Sequence, residues 1–111
     1  MIRKYKEVDA REKDESFSIK DMYSDSSAPM DLVIANLNGY HGAYKNTKNI
    51  KYYLIIEGTA KVKVDDNVYD VEVGDFILIP KNSIHSIEGI VKFAIICTPP
   101  FDRDSETVIK S

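Results

Sequence analysis

The residues of this chain best able to do chemistry are two histidines, a lysine and a run of tyrosines. His85 has the most specific surroundings. A Gly74-Asp75 turn leads into the apolar run Phe76-Ile77-Leu78-Ile79, the run ends at Pro80, and His85 lies in the next short run. That order sets an imidazole just past a strand bend, at a position able to point into a β-barrel. An imidazole titrates near neutrality, so His85 suits a general acid or base, or a hydrogen bond to a ligand. The competing reading is a structural histidine bonded to backbone. His41 is the only other histidine. It follows Asn38-Gly39-Tyr40 and precedes Gly42, so a pocket and an exposed turn both stay open. Tyr44, Tyr52 and Tyr53 form an aromatic cluster whose phenols can donate while their rings pack, and core packing is expected of at least one. Cys97, inside Phe93-Ala94-Ile95-Ile96-Cys97, reads as a buried structural thiol. Asp65-Asp66 and the acids at Asp102, Asp104 and Glu106 read as solvated turns and tail, and Asp31 as a loop residue.

These side chains need strands to position them. Ile2 to Val8 reads as an edge strand and Ser16 to Met22 as a second short segment. Ser24 to Pro29 is a loop by composition. Asp31 to Leu37 is an apolar run ending at the turn or bulge signal Asn38-Gly39. Ile50 to Glu57 is rich in aromatic and β-branched residues and ends at Glu57-Gly58. Thr59 to Asp65 alternates, with Val62 and Val64 on one face and Lys61 and Lys63 on the other. Asp65-Asp66-Asn67 is a tight hairpin turn, and Val68 to Val73 returns from it. Phe76 to Ile79 is apolar throughout and predicts a strand buried on both faces. Gly89 to Thr98 is the last clear strand, closed by Pro99-Pro100. Asp104 to Ile109 is the one stretch able to form a short helix. Many short strands with regular turns predict an all-β sandwich or barrel.

Size and composition narrow the function classes. At 111 residues, 43% hydrophobic and 30% charged, the chain is one domain with a single sizeable core. The net charge is −3 and the basic residues are scattered, which argues against nucleic acid as the main partner. The longest apolar runs are strand-length, so no membrane span is expected. No apolar segment follows Met1 to Lys6, so no signal peptide is read. The single cysteine permits no internal disulfide and fits a reducing cytoplasm.

Glu57-Gly58 with the Lys-Val-Lys-Val hairpin, then Gly74, Pro80 and His85, resembles the cupin superfamily over residues 31 to 101. Its second motif, G-x5-P-x-G-x2-H-x3-N, is matched at Gly74, Pro80 and His85. Asn82 stands where the second Gly is usual and Gly89 where the Asn is. The resemblance implies an all-β cupin-type jelly-roll barrel. It divides the chain into an N-terminal arm (1–30), a barrel core (31–101) and a C-terminal tail (102–111). It also implies a pocket inside the barrel and a homodimer, with the polar arm free to pair with a neighbouring sheet edge.

The first motif of that superfamily, G-x5-H-x-H-x3-4-E-x6-G, is degenerate here. Counting back from Gly58 puts Lys51 at the metal-binding Glu. The two His positions fall on Lys45 and Thr47, or on Tyr44 and Asn46 with the longer spacer. No metal site is therefore expected. If one exists, it needs His85 and His41 together, with a carboxylate from Glu57 or Asp75, both in turns expected to face outward. His41 would share a face with positions 43 and 45 if no bulge intervenes. Lys51 faces the barrel interior with Tyr53 and Ile55 if the carry-over holds. There it would be a fixed positive charge for an anionic ligand. A register shift of one would instead put Lys51 on the surface and Tyr52 inside, and this is the favoured reading, because a buried ammonium is costly unless paired.

The expected function is binding of a small molecule in the barrel, without a metal or other cofactor, by His85, His41, Tyr44, Lys51 and Tyr53. The alternative is a metal-dependent or metal-free cupin enzyme, an isomerase, epimerase or oxygenase acting on a small polar or sugar-like substrate, with His85 as the catalytic group.

Overall fold

Eight strands account for the architecture of the computed structural model, which describes residues 1–109. They are β1 (Ala10–Asp14), β2 (Phe17–Tyr23), β3 (Asp31–Asn46), β4 (Ile50–Val64), β5 (Asn67–Glu72), β6 (Phe76–Ile79), β7 (Ile84–Thr98) and β8 (Glu106–Val108), with 3-10 turns at Tyr5–Glu7 and Arg103–Ser105. All pairs are antiparallel, in the order β1-β2-β3-β7-β4-β5, with β6 pairing on β4 and β8 on β3. This is the expected all-β jelly-roll barrel. The long strands β3, β7 and β4 lie side by side over almost their whole lengths.

Two glycine signals that read as strand ends are bends within strands. β3 continues through Gly39, which pairs with Gly89 of β7. β4 continues through Gly58, opposite Val91 of β7. Gly58 has φ +81, and a Cβ there would lie 2.1 Å from the Ile90 carbonyl oxygen. Only glycine permits that backbone and that approach. A bulge between Ile55 and Glu57 precedes it.

Other expectations change for physical reasons. The Ile2 to Val8 segment is not a strand. Tyr5 instead sits in the first 3-10 turn, with its ring under the Lys20 and Lys92 ammonium groups at 3.9 and 4.1 Å, and the paired edge begins at Ala10. β6 is not buried on both faces: Phe76 and Leu78 point outward, 62% and 48% exposed, while Ile77 and Ile79 point in. The Asp104 to Ile109 stretch forms no α-helix. It is a 3-10 turn followed by β8, whose residues pair with Tyr44, Lys45 and Asn46 of β3. Two asparagines hold this segment in place. The Asn46 side-chain oxygen accepts from the Lys48 and Asn49 amides and from the Ser105 hydroxyl. Asn49 donates to the Pro99 carbonyl and accepts from the Asp102 amide.

The core lies between the two halves of the folded sheet and includes Phe93, Ile55, Ile79, Ile87 and Val62, all fully buried. Each such side chain contributes roughly 1.5–3 kcal/mol of burial. The core fills one part of the barrel, and a polar cavity occupies another.

Candidate ligand-binding cavity

Strand alternation assembles this cavity. Cys97 of β7 lies opposite Asp31 of β3 on one side and Lys51 of β4 on the other. All three are buried. Further along, β3 has a bulge between Gly42 and Tyr44. A Cβ at Gly42 (φ +146) would meet the Ser86 Cβ at 2.5 Å. The bulge breaks the simple alternation from 41 to 45, so Tyr44, rather than Ala43, shares the inner wall with His41. Their rings form a file: Phe17 stacks on His41 at 3.9 Å, His41 meets Tyr44 at 4.7 Å, and Tyr44 meets His85 at 6.3 Å.

The cavity encloses about 430 Å³, enough for a small ligand. His41, Tyr44, Lys51, Phe17 and Phe101 lie on its wall. Its charges balance, with Arg11, Lys13, Lys51 and Arg103 against Asp14, Asp21, Asp31 and Glu106. Two hollows elsewhere, of about 490 and 740 Å³, contain no histidine, tyrosine or buried charge, so the chemistry is concentrated here.

Lys51 is inside the barrel, which corrects the favoured surface reading. No register shift occurs: Tyr53 and Ile55 alternate inward with it, and Tyr52 takes the outer face. The burial is made tolerable by Glu106, whose carboxylate accepts from Lys51 Nζ at 2.6 Å, the side chains being only 9% and 14% exposed. The Phe101 ring lies 5.2 Å from the same ammonium. Glu106 is thus a cavity residue rather than a solvated tail acid. Asp31, read as a loop residue, is buried at the start of β3 and accepts from the Phe101 amide at 2.8 Å.

The remaining candidates divide. His85 is buried and faces inward, but it is not on the cavity wall; Tyr44 is. Among the described residues, no group hydrogen-bonds to either ring nitrogen of His85. Burial first, and the Lys51 ammonium second, push its pKa down to about 4, with the nearby Ser83 backbone opposing. The same two causes take His41 to about 4, with Glu106 and Asp14 opposing. Both rings are therefore neutral at pH 7. Tyr44 is raised, by burial and then by Glu106. Tyr53 is 2% exposed, packs on Phe93 and is absent from the cavity wall. Cys97 is buried and pushed up to about 12, by burial first, with Asp31 and Glu106 adding and Lys51 opposing. It is no nucleophile at neutral pH.

The donors do not suit a divalent metal. The inward positions at the degenerate motif are Tyr44, Asn46 and Lys51, beside His85. The longer spacer fits this wall, because Asn46 is buried where Thr47 is exposed and Tyr44 lines the cavity where Lys45 does not. A phenol, a carboxamide and an ammonium cannot replace imidazoles and a carboxylate. The ammonium also repels a cation. Tyr44 packs against both His41 and His85. Among the described residues, no group of three or more His, Cys, Asp or Glu converges.

Sequence logic had a signal for Asp31, since alternation back from Ala35 and Val33 puts it inside. It had none for Glu106, which reaches the site only through the β8 pairing.

A jelly-roll barrel with a polar cavity between aromatic walls defines the class of protein. The cupin domain family model matches residues 35–94, and the chain belongs to that family. An uncharacterized protein of Methanocaldococcus jannaschii, MJ1618, is 30% identical over 71 residues, covering 60% of this chain and 57% of that protein. The match thus spans little more than half the length of that relative. Among solved structures, Pac13, a nucleoside dehydratase, superposes with a TM-score of 0.85 at 16% identity, covering 99% of this chain and 92% of that one. A Streptomyces Pac13 variant solved with uridine gives 0.83 at 15% identity, covering 97% and 92%. A cupin-2 domain protein of Rhodospirillum rubrum gives 0.81 at 16% identity, covering 100% and 81%. Likeness at this identity concerns the fold.

Proposed function

We propose that the barrel binds a small, uncharged, hydroxyl-bearing molecule in the cavity between β1–β3, β4 and the C-terminal segment, without a metal. The observation that carries this is the closed Lys51–Glu106 pair on the cavity wall. Lys51 is already neutralised, so it offers donors to a hydroxyl rather than an open positive charge to an anion. Neutral His41 supplies one donor and one acceptor, Tyr44 adds a phenol, and Phe17 and Phe101 supply faces for an apolar ring or sugar face. The uridine held by the Pac13 variant has this character, which supports the reading.

A second reading is metal-free acid–base catalysis on such a ligand. The specific support is the neighbouring pair of neutral imidazole and phenol, His41 and Tyr44, on the cavity wall. In this reading His41, rather than His85, is the base that meets substrate. Burial and the Lys51 ammonium disfavour a proton on His41, and Glu106 and Asp14 offset part of that cost. Dehydration is the reaction of the Pac13 relative, and lyase or isomerase chemistry on a hydroxylated carbon is the class proposed here.

The experiment is a thermal-shift and titration screen with nucleosides, pentoses, hexoses and small carboxylates, repeated with His41→Ala and Tyr44→Phe. A binder gains about 2.7 kcal/mol at a ligand concentration one hundred times Kd. A neutral hydroxylated compound is expected to bind wild type and to lose at least tenfold (about 1.4 kcal/mol) with His41→Ala. A wholly inert neutral panel sinks the binding reading, and metal retained stoichiometrically through purification sinks metal independence.

We also propose a homodimer in the cytoplasm. The free, buried Cys97 suits a reducing compartment. Among the described residues no helix is long and apolar enough to cross a membrane.

A further inference from the structure

We propose that Glu106 sets the charge specificity of the cavity: by cancelling Lys51, it makes the barrel accept neutral ligands and turn anions away. This deepens, and rests on, the reading of the cavity as a binding site.

Glu106 lies 55 residues from Lys51 and outside the long strands. Strand β8 brings it in through three residues paired to the end of β3. Its Oε2 accepts from Lys51 Nζ at 2.6 Å and from Asn46 Nδ2 at 3.4 Å. Both members of the pair face the cavity. Without Glu106, Lys51 would present an uncompensated, buried ammonium on the wall of a half-open cavity with aromatic sides, which is an anion site. With it, an entering anion meets the Glu106 and Asp31 carboxylates along with the ammonium. The other cations are weaker attractors. Arg11 is tied to Asp21, while Lys13 and Arg103 are exposed, where water and salt screen them. A neutral hydroxyl meets no such conflict, because it can donate to Glu106 and accept from Lys51 together.

Glu106→Gln is the test. It keeps the side chain's shape and an oxygen for Lys51 while removing one charge. Titration calorimetry with inorganic phosphate and with acetate is the readout. One unit charge within a few ångströms is worth at least about tenfold in anion affinity. The variant is expected to bind one or both anions at least tenfold more tightly than wild type, and Lys51→Met added to it is expected to abolish the gain. A purely structural role for Glu106 would lower stability without creating anion affinity. Glu106→Ala provides the same charge removal should Gln fold poorly, with circular dichroism as the check on folding.

Three results overturn the proposal: folded variants indifferent to both anions, a gain that survives Lys51→Met, or a wild-type protein already stabilised by phosphate. The last stands whatever the variants do. An inert neutral panel would defeat the proposed function while leaving the anion response of Glu106→Gln intact, so the two failures are distinguishable.

Discussion

Lys51 and Glu106 form a pair whose members cannot be removed singly without cost. A buried charge left without its partner destabilises by about 3–5 kcal/mol, while replacing both partners with apolar groups is often neutral or better. Lys51→Met alone is therefore expected to lower urea-unfolding stability by several kcal/mol, and Lys51→Met with Glu106→Leu to recover most of it. A double variant no more stable than the single one would show that the pair is not coupled. The histidines carry the pH dependence. Both His41 and His85 have folded pKa values of about 4 against an ordinary 6.5. The unfolded chain thus takes up protons between these values and the native protein does not. Their contribution to stability is expected to be complete above about pH 6.5 and to fall as pH drops toward about 4. Thermal melts across this range check it, and replacing both histidines with Gln is expected to flatten the acid limb. Legibility at this scale followed local periodicity. Lys51 was readable by alternation from Tyr53 and Ile55, and the surface reading failed because the cost of a buried ammonium was weighed without its partner. Glu106 carries no mark in its neighbours.

At the scale of elements, the fold depends on strands that bend without breaking. Gly58 was legible as punctuation but not as to kind, since a glycine that ends a strand and one that bends it look alike in one dimension. Its φ of +81 and the Ile90 carbonyl at 2.1 Å from a built Cβ distinguish them. Gly58→Ala is expected to cost on the order of 2 kcal/mol or more, through backbone strain and separation of β4 from β7. Chemical denaturation measures the loss, and a neutral effect would mean that the β4–β7 approach is slack. Strand β8 was illegible for a different reason. Three residues have too short a pattern to display alternation, and their conformation is set by hydrogen bonds to β3 and by the Asn46 and Asn49 network.

Across the whole molecule, the outer face of the sheet carries two registered apolar rows. One runs Leu32, Ile96, Tyr52 and Leu78, the other Ile34, Ala94, Leu54 and Phe76, each crossing β3, β7, β4 and β6. No charged residue interrupts either row, and Leu54 is 47% exposed. A contiguous apolar face of this kind marks an association surface. The proposed homodimer would use this face by twofold symmetry, because sheet faces pack on one another and the same rows would meet. Light scattering is expected to give a dimer for wild type and a monomer for Phe76→Glu with Leu78→Lys. A monomeric wild type at micromolar concentration would sink the homodimer.

What the amino-acid sequence determined by itself was everything governed by short-range periodicity. It supplied most of the strands, the hairpin at Asp65-Asp66, the Gly74 to His85 arrangement and the all-β barrel. Tertiary structure alone decided which strands meet. It placed Tyr44 between two imidazoles by one bulge, put His41 rather than His85 on the cavity wall, and closed Lys51 with an acid from the far end of the chain. Alternation tells a side chain which face to take, whereas the identity of its partner depends on a contact between segments that no local pattern links.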